Sequence, residues 1–171
     1  MNPNTQEAFE NFQGMIHGVF LDGRVSREEI LQLKGWCNHY EHLTSDKIFS
    51  DFFSEIKSIL QDGVVTAEEI LDMKVILSKY RKHFINPDAK TADLHFLQGI
   101  CYGIIADGEV NKHEVYMLKN WLEENEHLSN EEPYKSFHKI ILRVLEDGKV
   151  DNEESKELQE LFTKFLKSED I

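Results

Sequence analysis

Residues 98–128, QGICYGIIADGEVNKHEVYMLKNWLEENEHL, fall without a gap on residues 13–43, QGMIHGVFLDGRVSREEILQLKGWCNHYEHL, when the chain is shifted by 85 positions. Thirteen of the 31 pairs are identical, among them Trp36 with Trp121 and the closing Glu-His-Leu. A match of that length within one chain is the mark of a tandem duplication. Within it sits Asp-Gly-x-Val, which recurs four times, at Asp22, Asp62, Asp107 and Asp147, with intervals of 40, 45 and 40 residues. Each unit of about 85 residues is therefore itself two helix–turn–helix pieces of about 40.

The apolar residues around these turns recur at helical steps. From Ser26 they are Ile30, Leu33, Trp36, Cys37 and Tyr40. From Asn111 they are Val115, Leu118, Trp121 and Leu122, with the stripe closing at Leu128. From Ser45 they are Ile48, Phe49, Phe52, Phe53, Ile56 and Ile59. Steps of three and four put each set on one buried helix face, and the aromatics are read as core. The fold class is all-α, with eight helices over 6–21, 26–42, 46–61, 66–84, 91–106, 111–127, 131–146 and 151–167. The stretch INPDAKTAD at 85–93 has a proline, turn formers and no apolar period, so it is read as a linker between units 1–86 and 92–171.

The four turns carry a complete stop and restart. Gly23, Gly63, Gly108 and Gly148 suit the left-handed residue on which many helices end. Ser26, Thr66, Asn111 and Asp151 follow as N-caps. Three residues further stand Glu29, Glu69, Glu114 and Glu154, completing Ser-x-x-Glu-type capping boxes. The aspartates fit less simply, because an anion at a helix carboxyl end opposes the macrodipole. One account is an Asx turn, with the carboxylate accepting backbone N–H groups. The other is a cation. Asp107, Gly108, Val110, Asn111 and Glu114 fit the second half of an EF-hand calcium loop. The early ligand positions, however, hold Gly103 and Ile105. Each loop would offer about four oxygens against the six to eight that calcium takes. Asp22 with Glu29, Asp62 with Glu69, Asp107 with Glu114 and Asp147 with Glu154 are thus candidates for a weak divalent site. Loops facing each other would share it, with Val25 paired to Val65 and Val110 to Val150 as a two-residue bridge.

A net charge of −13 opposes nucleic-acid binding. Residues 1–85 carry 9 basic and 13 acidic side chains, and residues 86–171 carry 10 and 19. The short basic run Lys79–Phe84 falls where a helix ends and suits its dipole. No apolar run is long enough to span a bilayer and no secretory leader is visible. Cys37 and Cys101 are read as buried thiols in a reducing compartment. Enzyme signatures are missing: there is no phosphate loop, GxSxG, HExxH or dinucleotide fingerprint. His42 and His127, in the repeated Glu-His-Leu, are read as helix C-terminal caps. His138 stands alone, and Glu10 belongs to no Glu-x-x-His metal pair.

The run GIIADGEVNKHEVYMLKNWL resembles the TerB-like superfamily of tellurite-resistance helical domains, whose mark is the Ala-Asp-Gly-x-Val-x-x-x-Glu turn. The second half, from Phe96 to about Leu166, is similar to a helical region of bacterial BRCT-containing proteins. The resemblance implies an all-α, cytoplasmic, bacterial protein with no established enzymatic activity, associated with stress, defence or nucleic-acid-processing complexes. In some relatives it implies divalent-metal binding near the Asp and Glu turns. The expected function is a non-catalytic acidic module that binds a protein partner and requires no cofactor. The alternative is a weak calcium, magnesium or manganese sensor.

Overall fold

The computed structural model describes residues 3–19, 25–61, 63–105, 108 and 110–169. Among them are eight α-helices and no strand: α1 Pro3–Val19, α2 Arg27–Tyr40, α3 Lys47–Leu60, α4 Ala67–Tyr80, α5 Ala89–Ile105, α6 Lys112–Glu124, α7 Tyr134–Val144 and α8 Asn152–Glu169. Four helices run on into single 3-10 turns at Glu41–Leu43, Arg81–His83, Glu126–Leu128 and Leu145–Asp147. No described helix is long and apolar enough to cross a membrane. The chain separates into two compact units, Met1–Asp107 and Gly108–Ile171. Compactness and repetition thus divide the chain at different places, since α5 packs within the first unit although the 85-residue repeat starts with it.

In the first unit an aromatic core fills the space among α1–α4. Phe9, Phe12, Phe49 and Phe52 are fully buried. Phe9 stacks on Phe84 with ring centres 4.6 Å apart, and Phe12 meets Trp36 at 4.8 Å. Buried aromatic groups with a polar end need a partner there. The Trp36 indole N–H donates to the Ala8 carbonyl at 2.8 Å, and Asn11 Nδ2 donates to the Tyr40 hydroxyl oxygen at 3.0 Å. The predicted α2 face is buried in full. On α3 the stripe is rotated: Phe49, Phe52, Phe53, Ile56 and Leu60 are buried, whereas Ile48 is exposed and Ile59 half-buried. Positions 49, 52, 53, 56 and 60 lie closer to one helical face than a stripe that includes 48 and 59.

The most extensive helix pairing in the unit is α1 on α5. The two run parallel and in register, so that a residue of α1 faces the residue 85 positions later. A Cβ at Gly14 would lie 2.1 Å from the Phe96 carbonyl oxygen and 2.9 Å from the Gly99 Cα. A Cβ at Gly99 would lie 2.1 Å from the Asn11 carbonyl oxygen. Asn11 and Phe96 are themselves 85 apart, so the approach is reciprocal. Glycine here lets two backbones touch, as small-xxx-small helix seams do. One turn earlier, Glu10 Oε1 meets His95 Nδ1 at 2.9 Å, both side chains largely buried. The linker joins the same seam: Asn86 Nδ2 donates to Glu10 Oε1 at 3.3 Å and Gln6 Nε2 to the Ile85 carbonyl at 3.0 Å. Asp88 then caps α5, accepting from the Lys90 N–H at 3.1 Å and the Thr91 hydroxyl at 2.6 Å.

In the second unit Val115, Leu118, Trp121, Phe137, Ile141, Leu158 and Phe162 are buried among α6, α7 and α8. Phe137 packs against Phe162 and Phe165 at 5.6 and 5.2 Å. The two-residue bridges drawn from the calcium-loop analogy do not form. Val25, Val65, Val110 and Val150 are all outside any strand or bridge. At Val110 the reason is visible: its N–H donates to the Ser155 hydroxyl on α8 at 2.9 Å.

Candidate functional site

The four turns are built as their sequence implies wherever they are described. Gly63, Gly108 and Gly148 have φ of 77, 75 and 73°, the left-handed region that costs other residues a steric penalty. All four capping boxes close. The Glu29 N–H donates to Ser26 Oγ at 3.0 Å and the Ser26 N–H to Glu29 Oε1 at 2.9 Å. Thr66 and Glu69 exchange bonds of 3.1 and 3.0 Å, Asn111 and Glu114 of 2.8 and 3.0 Å, and Asp151 and Glu154 of 2.8 and 3.2 Å. The glutamates that would complete a cation site therefore each commit an oxygen to their own helix start.

Of the four aspartates, Asp147 is described; Asp22, Asp62 and Asp107, with Gly23, lie outside the described residues. The Asp147 carboxylate accepts the Lys149 N–H at 3.0 Å, which is the Asx turn. The helix before it has tightened into a 3-10 turn that ends with the Gly148 N–H on the Leu145 carbonyl at 2.9 Å. Among the described residues no three histidine, cysteine, aspartate or glutamate side chains converge as a metal-holding group.

The histidines divide by surroundings. In both copies of Glu-His-Leu the leucine is buried and the histidine exposed, and backbone bonds close the helix end. Thr44 N–H donates to the Glu41 carbonyl at 3.2 Å, and Ser129 N–H to the Glu126 carbonyl at 3.0 Å. His138 does have an acidic neighbour: its Nε2 lies 3.3 Å from Glu123 Oε2. His138 and Lys119 together hold the Glu123 carboxyl below its ordinary range. Sequence reasoning also missed Glu10 with His95, although their 85-residue offset was a signal that equivalent positions could meet. Both cysteines are free and buried. Burial pushes the Cys37 thiol up to about 11 and raises Cys101 further, so neither is a ready nucleophile.

The surface feature that sequence periodicity did not reveal is on α4. Its outer face carries Leu71 and Val75, one turn apart and 57 and 66 % exposed, and Val64 just before the helix is 62 % exposed. Val75 and Ile76 form one wall of a shallow groove, with Asp72 beside them. Ser54, Glu55, Ser58 and Ile59 of α3 form the other wall, and the volume is about 530 Å³. Glu55 is already occupied. It accepts from the Tyr80 hydroxyl and, at 3.0 Å, from Lys79 Nζ, so the basic run at the end of α4 is partly neutralised. Asp72 has no partner among the described residues. No family model, curated protein or solved structure gives a match to this chain.

Proposed function

We propose that this chain is a non-catalytic, acidic, helical interaction module of TerB-like type that binds a protein partner in the bacterial cytoplasm. The complexes to which the resemblance points are those of stress, defence or nucleic-acid processing. The observation that carries the reading is the exposed aliphatic pair Leu71 and Val75, one turn apart on α4, with Val64 also exposed just before that helix. Contiguous exposed apolar surface, unlike a single exposed aliphatic, is a feature of binding sites. The duplication supplies an internal comparison. At the equivalent positions of the second copy stand Lys149, Lys156 and Glu160. The helix–turn–helix piece therefore folds with charges there, and the aliphatics of the first copy serve something other than the fold.

The test begins with the full chain as bait in lysate of the native bacterium. A protein so identified is then purified and titrated back. A saturable complex between the two purified proteins, weakening as salt rises, is the expected result. A hydrolase activity of the chain that disappears in Asp107→Asn, or no binary complex with any purified candidate, would overturn the reading.

A further inference from the structure

We infer that the α3–α4 groove is the seat of a basic amphipathic helix of the partner protein. Its aliphatic side chains rest on Val75, Ile59 and Leu71, and one of its arginines or lysines pairs with Asp72. The inference rests on the interaction-module reading and names the partner surface for it. Its support is a comparison of the groove with the same positions 85 residues later. Ser58 corresponds to Arg143 and Asp72 to Glu157. In the second copy those two side chains are bonded to each other, Arg143 Nη2 to Glu157 Oε1, from α7 to α8. Ser54 corresponds to Lys139 and Val75 to Glu160. The second copy thus supplies the cation for its own cross-groove acid and presents charge where the first copy presents aliphatic surface. The first copy keeps the acid, has serines in place of both cations, and leaves its aliphatics uncovered. What is missing is a cation beside apolar side chains at helical spacing.

A helix supplies that combination in the right geometry. Leu71 and Val75 are four residues apart and form a ridge, against which a third helix seats its own three- and four-spaced side chains. The sign of the occupant follows from charge. A chain of net −13 repels an acidic helix, an anionic lipid surface and a second copy of itself, and attracts a basic segment.

The probe is a fluorescein-labelled synthetic helix with leucines on one face and arginines flanking them, read by fluorescence anisotropy. Two variants of the full chain borrow the residues of the second copy. Leu71→Lys with Val75→Glu leaves the net charge unchanged, and Ser58→Arg offers Asp72 an internal cation. Both are expected to melt as the parent does and to bind the peptide about tenfold more weakly, a loss of about 1.4 kcal/mol. Equal affinity of the parent and the charge-neutral double variant would overturn the inference, since binding would then be general attraction to an acidic surface. If the double variant unfolds, Ser58→Arg alone decides: undiminished peptide affinity overturns the inference. A parent dimer in sedimentation that the double variant abolishes would also overturn it, because the occupant would be a second copy. The purified natural partner separates this inference from the reading beneath it. Binding to parent and variants alike removes the groove and keeps the module, whereas no binding to the parent removes both.

Discussion

A Cβ at position 99 would lie 2.1 Å from the Asn11 carbonyl oxygen, whereas a Cβ at position 35, on the exposed side of α2, would meet nothing within 4 Å. The same substitution should therefore act in opposite directions. Gly99→Ala forces α1 and α5 apart and is expected to cost about 3 kcal/mol of unfolding free energy. Gly35→Ala removes only backbone freedom from the unfolded chain and should add about 0.5–1 kcal/mol. Denaturant titration of both variants checks the pair of signs. A second prediction concerns Glu55 and Tyr80. The Tyr80 hydroxyl, and then Lys79, hold the Glu55 carboxyl below its ordinary 4.5, while burial and the bond to Glu55 push Tyr80 up to about 12. A depressed acid stabilises the fold above its unfolded pKa and ceases to do so as pH falls through the folded value; a raised phenol stabilises below its unfolded pKa and ceases to do so as pH rises through about 12. Tyr80→Phe should thus lower the melting temperature across neutral pH, with the difference from the parent shrinking below pH 4.5. At this scale the caps were legible from residue type alone, because they need only local spacing. Asp147 was legible as one of two alternatives, and of these the turn is present, through the bond from the Lys149 N–H.

Element boundaries follow from the same local chemistry, with one difference of kind. The helix expected over about 26–42 is α-helical to Tyr40 and tightens into a 3-10 turn over Glu41–Leu43. The tighter turn lets Leu43 reach the core while Thr44 closes the Glu41 carbonyl, which no periodicity count distinguishes from another α turn. The exposure of Ile48 likewise depends on what faces α3, not on α3 itself. The capping boxes yield a test that separates structure from metal. Asn111→Ala should cost about 1 kcal/mol, since the Glu114 N–H loses its acceptor. Glu114→Gln keeps an acceptor for the Asn111 N–H and should cost less than half of that. Millimolar calcium, magnesium or manganese is expected to leave the melting temperature of the metal-stripped parent and of Glu114→Gln unchanged. A rise in the parent that is absent in Glu114→Gln would transfer the turns to the divalent-sensor reading.

For the whole molecule, the repeat and the packing ask to be cut in different places. A chain ending at residue 86 contains the first sequence repeat and lacks α5, leaving Gly14 and the rest of that α1 face without their cover. A chain ending at residue 107 retains it. The longer fragment is expected to melt cooperatively and at a higher temperature than the shorter, by circular dichroism at matched concentration; equal melting temperatures would show that the repeat alone is the stable unit. The duplication itself was plain from the 31-residue self-match. The seam was not read from it, although Gly14 and Gly18 recur at Gly99 and Gly103, because a period of four small residues signals a close contact only once its partner is known. The α3–α4 groove was hidden for a related reason. Val75 looks like any helix valine until the neighbouring helix is seen to leave it uncovered.

The meeting of Glu10 with His95 gives the α1–α5 seam a polarity that its glycines lack. Reciprocal glycine contacts would serve two identical helices equally well, so by themselves they would let the first helix of one molecule pair with the first helix of another. Unlike residues at matching positions remove that indifference. Two copies of α1 would bring carboxylate against carboxylate, and two copies of α5 imidazole against imidazole. Only the mixed couple is complementary. A duplicated chain whose copies differ at this buried pair, as at others, can tell its first helix from its fifth, and so resists the mispairing between molecules that symmetric repeats invite.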